Sequence, residues 1–193
     1  MLGTMPMDDR VQPTDADEWR AWLEANHDRG AGVWLVTWKA HTGRPTVRYE
    51  QAVEQALCFG WVDSTNRTLD ADRTMMWFAP RKRRSGWARS NKQRVARLEE
   101  AGLMAAPGSA VIEAAKADGS WSVLDDVEDL VVPPDLADAF DAHPGAREHW
   151  DAFSRSPRRA MLAWIAQARK PETRARRVAA TAEKAALGER AIG

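Results

Sequence analysis

A single cysteine, Cys58, leaves this 193-residue chain no internal disulfide and no cysteine-built zinc cage. Its four histidines, His27, His41, His143 and His149, follow no metal-binding spacing, so neither a metal centre nor a cofactor is expected. No apolar run approaches the roughly 18 residues that cross a bilayer. The opening MLGTMPMDDR lacks a basic segment followed by an apolar one, so no secretory signal is expected and the expected location is cytoplasmic. Neither sign of charge is in excess, with 28 Lys and Arg against 28 Asp and Glu. An apolar content of 44% excludes the disordered and fibrous classes. What remains is a globular chain long enough for one substantial domain or two small ones.

The charge balance hides strong segregation. Residues 81–97 carry eight basic side chains and no acid, and residues 155–177 carry eight more against Glu172 alone. Residues 112–141 reverse the pattern, with nine acids against Lys116. Two readings follow: the segments lie side by side and neutralise one another, or a basic surface is kept for an anionic partner.

Thr14 or Asp15 reads as an N-cap, followed by Trp19, Trp22, Leu23 and Asn26 at helical spacing. GVWLVTWK (32–39) reads as a strand covered on both faces, and HTGRP (41–45) as a turn. Tyr49, Ala52, Val53, Ala56, Leu57 and Gly60 fall at steps of three and four, an amphipathic helix closed by Gly60. WVDSTNRTL and RTMMWFAP predict a hairpin around Asp70-Ala71-Asp72, whose register decides whether Asp63 or Ser64 faces the core. Ser85 is expected to cap a helix over about 87–101, ended by Gly102. Further helices are expected at 108–118, 135–142, 145–153, 157–169 and 171–187, with first-turn prolines at Pro157 and Pro171. The predicted class is α+β: a small, mainly antiparallel sheet packed by helices, then a helical C-terminal portion. The expected organisation is an α+β domain over 12–105, a helix and linker over 106–134, and helices over 135–188. A parallel placement of 33–39 and 61–68 through the intervening helix stays open.

Three places carry candidate chemistry. Cys58 lies on the last turn of an apolar helix with no histidine near in sequence, and reads as packing rather than as a nucleophile. Asp63 and Ser64 follow Trp61; aspartate is disfavoured in strands, so it is either ion-paired with Arg81 or Arg67, or ordered beside Arg81 as part of a ligand site. No histidine completes a hydrolase triad around that pair. PRKRRSGWARSNK (80–92) runs from a strand end through a cationic loop into a helix start. There Arg81 and Lys82 would meet free N–H groups, Ser85 adds a hydroxyl, Trp87 a stacking face and Asn91 an amide. The competing reading makes Ser85 a cap, Trp87 a core anchor and the arginines a solvated rim. A secondary basic cluster places Arg174 and Arg177 on one helical face, which reads as a solvated face or as one paired with the acidic 112–141 segment more readily than as an anion site.

ALCFGWVDS (56–64), the D-x-D-R turn at 70–73, FAPRKRRSGWARSN (78–91), AGLM (101–104) and SPRRAMLAWIAQARKPETRARR (156–177) resemble the YdeI/OmpD-associated family of small bacterial proteins. The resemblance runs from about Trp19 to Val178 and falls on Gly60, Trp61, Asp63, Ser64, Arg81, Lys82, Ser85, Trp87, Asn91, Thr173, Arg174 and Arg177. It implies a bacteriocin-protection or porin-associated role, often periplasmic, with no catalytic mechanism attached; the missing export signal sets this chain apart. The leading expectation is a non-enzymatic, stress-related binding protein taking a small anion or an anionic polymer at 81–91, with a protein partner possible. Alternatives are an enzyme using Asp63 as acid or base with Arg81 or Lys82 as electrophilic support, and a nucleic-acid-binding protein using both basic tracts. A sequence pI of 6.9 and the lack of a recognised motif weigh against nucleic acid.

Overall fold

Asp15 turns its carboxylate onto the N–H groups of Asp17 and Glu18 and so starts α1 (Ala16–Asn26). Just before it, β1 (Arg10–Val11) pairs in parallel with β2 (Val33–Trp38). In the computed structural model, which describes residues 9–192, α2 (Tyr49–Cys58) follows, then β3 (Trp61–Thr68) and β4 (Arg73–Pro80). The turn between the last two is held by Asp70, whose Oδ1 accepts the N–H groups of Asp72 and Arg73 while Oδ2 accepts Arg73 Nε at 2.8 Å. The sheet order is β1-β2-β4-β3, with β4 antiparallel to both neighbours. The sheet is thus mixed, because the short β1 adds a parallel edge. β2 and β3 run in one direction with β4 between them.

Helices α3 (Arg89–Glu100), α4 (Ala106–Ala117), α5 (Asp125–Glu128), α6 (Pro134–Asp141), α7 (Ala146–Ala152), α8 (Arg155–Ala166) and α9 (Pro171–Ala186) complete the described chain. The α+β class expected from the sequence is what the structure has. Pro171 opens α9 and Pro157 lies in the first turn of α8, where a missing N–H costs nothing.

The chain divides into two compact units. Among the described residues the first holds 9–83 together with 90–117, and the second holds 84–89 and 118–192. In the first, α1 and α2 cover one sheet face. Trp19 is fully buried, donates its indole N–H to Ala52 O at 3.0 Å and lies 5.4 Å from the Phe78 ring. The opposite face carries a smaller cluster of Trp34, Val36, Met75 and Trp77, which explains why β2 has apolar residues on both sides. Gly60 (φ +75) closes α2 in the left-handed conformation. Where α4 crosses α2, a Cβ on Gly108 would sit 2.2 Å from Cys58 O.

The second unit is helical, centred on Leu136, Phe140, Trp150, Met161, Ile165 and Ala182. The later part of 106–134, where a linker is expected, instead carries α5 and supplies Leu124 and Val127 to this core. The segment 84–89 belongs to the same body: a Cβ on Gly86 would meet Leu124 Cδ1 at 2.8 Å, and Trp87 lies 4.9 Å from Trp121. This packing corrects one expectation. The helix placed from about 87 with Ser85 as its cap begins at Arg89, so Ser85 stands too far upstream to cap it. Burial of Trp87 outweighs the local capping signal.

Candidate functional site

The β3–β4 register decides what Asp63 can touch. Asp63 lies opposite Phe78 and Asn66 opposite Met76, so β3 spends one more residue than β4 between these pairs, a β-bulge at Ser64-Thr65. Directly opposed residues share a face, so Asp63 points to the helix-covered side, half-buried, while Ser64 is exposed. The Tyr49 hydroxyl, at the start of α2, donates to Asp63 Oδ2 at 3.3 Å. Burial pushes the Tyr49 phenol above its ordinary value, and the neighbouring Asp63 charge pushes it the same way. Arg81 leaves β4 with its N–H bonded to Gly60 O and its side chain half-buried. Burial pushes its guanidinium down to about 10, against the favourable pull of Asp63. Asp63 and Arg81 therefore do share one corner, joined by Tyr49, which the sequence reading did not single out.

The other candidates from 80–92 separate. Lys82 is exposed at the strand exit, and Ser85 is half-buried within the second unit. Trp87 is 1% exposed and packs on Trp121, the arrangement of a core residue. Asn91 accepts from Arg94 Nη1 at 3.0 Å, and Arg94 grips both oxygens of Glu50. Cys58 is fully buried, and burial raises its thiol pKa, which suits packing and opposes nucleophilic use.

In the secondary cluster, Arg174 is bidentate to Asp135, Nε at 2.7 Å and Nη2 at 2.9 Å. That guanidinium holds the Asp135 carboxyl below its ordinary value. Arg177 donates to Trp164 O and lies 5.0 Å from the Trp164 ring. Arg89 pairs with Asp129 at 2.9 Å, and Arg159 with both oxygens of Glu128. The acidic 112–141 segment thus neutralises cations from both basic tracts.

Two concavities bear on function. In the first unit a cleft of about 270 Å³ opens on the sheet between Leu35, Thr37, Tyr49, Asn66, Thr74 and Met76. In the second, a hollow of about 190 Å³ is lined by Arg84, Asp118, Gly119, Ser120, Gln167 and Arg169 among others. It brings one arginine from each basic tract to the same place, which sequence distance concealed. Ser120 had no sequence signal beyond being a serine in a turn. Among the described residues no group of histidines, cysteines and carboxylates is arranged to hold a metal ion, and no helix is long and apolar enough to cross a membrane.

Comparison with known proteins gives two matches on separate stretches of the chain. Residues 11–111 match the family described as Domain of unknown function (DUF8412), and residues 129–188 match the family described as Bacteriocin-protection, YdeI or OmpD-Associated. No curated protein and no solved structure matches the chain. The resemblance drawn from the sequence is borne out over 129–188, while the motifs at 56–64 and 78–91 fall within the other match. The chain belongs to the DUF8412 family, and its C-terminal helices are similar to the family described as Bacteriocin-protection, YdeI or OmpD-Associated.

Proposed function

We propose that the chain is a binding protein for a small anionic ligand, serving the bacteriocin-protection setting of its C-terminal segment from the cytoplasm without catalysing a reaction. One observation carries this reading: the distribution of carboxylate partners among its cations. Arg89, Arg94, Arg97, Arg159 and Arg174 are each clasped by an acid. Arg83, Arg84, Arg169, Lys170 and Arg176 have no carboxylate partner among the described residues. Two of these, Arg84 and Arg169, one from each basic tract, line a single hollow of the second unit, where a bound anion would supply the missing charge. Asp63 is engaged by Tyr49 and Arg81, which favours binding over acid–base work there. The clasped arginines interrupt the contiguous basic surface that a nucleic-acid backbone requires.

A ligand that binds only the folded form raises its melting temperature. Inorganic phosphate is therefore expected to raise Tm above that in chloride at matched ionic strength. Equal Tm across a panel of inorganic and small organic anions rejects the proposal. Retention of single-stranded DNA at low salt, lost steeply as salt rises, would put nucleic acid in its place. Recovery of the protein in a periplasmic fraction would move its site of action.

A further inference from the structure

Ser120 lies in a turn on the wall of the 190 Å³ hollow. Its N–H donates to Asp118 Oδ1 at 3.0 Å, and Gly119 (φ +78) supplies the left-handed step before it. The residue is 6% exposed, yet its hydroxyl has no hydrogen-bond partner among the described residues. A buried hydroxyl left in this state costs about 1–3 kcal/mol, so such groups normally have a partner. Arg84 and Arg169 line the same hollow, both exposed and both without a carboxylate partner among the described residues. Arg84 also adopts φ +59, a conformation that a non-glycine residue rarely takes without compensation. A buried hydroxyl without a partner and two arginines on the wall of one hollow are the residue types of an oxyanion-binding set.

The Asp118 carboxylate lines the same hollow and narrows the choice of anion. It adds a negative charge beside the two arginines, which disfavours highly charged polyanions. It also accepts hydrogen bonds, so a ligand offering an O–H beside its negative oxygens gains a contact that a fully ionised tetrahedral anion cannot make. At about 30 Å³ per water, the volume corresponds to roughly six waters, room for a phosphate group and the first atoms of its carrier. Resting on the anion-binding reading above, we infer that this hollow binds a phosphate group, free or as a monoester, that presents a hydroxyl or retained proton to Asp118.

The full chain is titrated calorimetrically with inorganic phosphate, a sugar phosphate and sulfate near pH 6, with Tm followed in parallel. Phosphate or its ester binds, and sulfate binds about tenfold or more weakly. Ser120→Ala lowers phosphate affinity about tenfold while the ligand-free Tm stays level or rises, because the substitution removes a buried hydroxyl that lacks a partner. Arg169→Gln and Arg84→Asn each lower affinity by a similar factor; asparagine is chosen because it tolerates the left-handed backbone. Asp118→Asn reduces the preference for phosphate over sulfate. Tighter binding of the sugar phosphate identifies an organic monoester, and equal binding identifies the free ion; both support the site. Wild-type phosphate affinity in Ser120→Ala and Arg169→Gln overturns the site while leaving anion binding standing. Sulfate binding as tight as phosphate overturns the ligand assignment, and no anion binding to the wild type overturns both.

Discussion

The corner at Asp63 and the hollow at Ser120 use the same residue types in opposite ways. At the corner, the half-buried Arg81 faces a carboxylate, and that carboxylate also receives the Tyr49 hydroxyl. In the hollow, Arg84 and Arg169 share the wall with Asp118 and with Ser120, whose hydroxyl has no partner among the described residues. The first arrangement supplies its own counter-charge, while the second leaves an excess for something else to meet. A cluster of arginine, aspartate and serine is therefore not a site by composition. Each place holds one buried polar atom without a hydrogen-bond partner among the described residues, Arg81 Nε and Ser120 Oγ, and what distinguishes the two is the balance of charge around it.

The largest expected effect tests the framework of the corner. Gly108→Ala places a methyl 2.2 Å from Cys58 O, where backbone rather than a flexible side chain must yield. The gain in helix propensity offsets only part of this, and a loss of about 3 kcal/mol is expected in urea denaturation. A change under about 1 kcal/mol would show that α4 is free to move away from α2.

A smaller effect separates corner from hollow directly. Asp63→Asn removes the charge opposing Arg81 and is expected to cost about 1–2 kcal/mol, less than a fully buried pair because both groups keep some solvent. Its phosphate-induced rise in Tm should match the wild type. Loss of that increment in Asp63→Asn would move the anion site back to the corner.

The smallest effect concerns a clasped arginine. Arg174→Gln should cost only about 0.5 kcal/mol, since the pair with Asp135 is largely exposed, and it should leave the phosphate response intact. Its signature is in the pH dependence. Arg174 holds the Asp135 carboxyl below 3.8, so the pair's contribution is present above pH 3.8 and lost as pH falls through the depressed folded value. The variant should lose that part of the acid-side slope. An unchanged slope would mean that the pair does not persist in solution.

Much of the fold was legible because its signals are local. The Asp15 cap acts over three residues, the Asp70 turn over four, and Gly60 and Pro171 act through their own backbones. β1 went unread because two residues carry no periodicity, and their pairing depends on β2 more than twenty positions away. The bulge at Ser64-Thr65 went unread because alternation gives a strand's faces and not its register against a partner. Of the candidate site, the cationic character of both tracts and the competing pairing with the acidic segment were visible in the sequence. Which arginines would be clasped was not, since Arg174 and Asp135 are 39 positions apart.

By itself the sequence determined the α+β class, the Asp15 cap and Gly60 closure, the hairpin turn and the segregation of charge, since each follows from contacts within about one turn of chain or from composition. Tertiary structure alone decided that 84–89 belongs with the C-terminal helices, that Trp87 is core, and that Arg84, Ser120 and Arg169 meet at one hollow. The reason is that whether a polar group is satisfied depends on every atom within hydrogen-bond reach, and folding brings those atoms from distant parts of the chain.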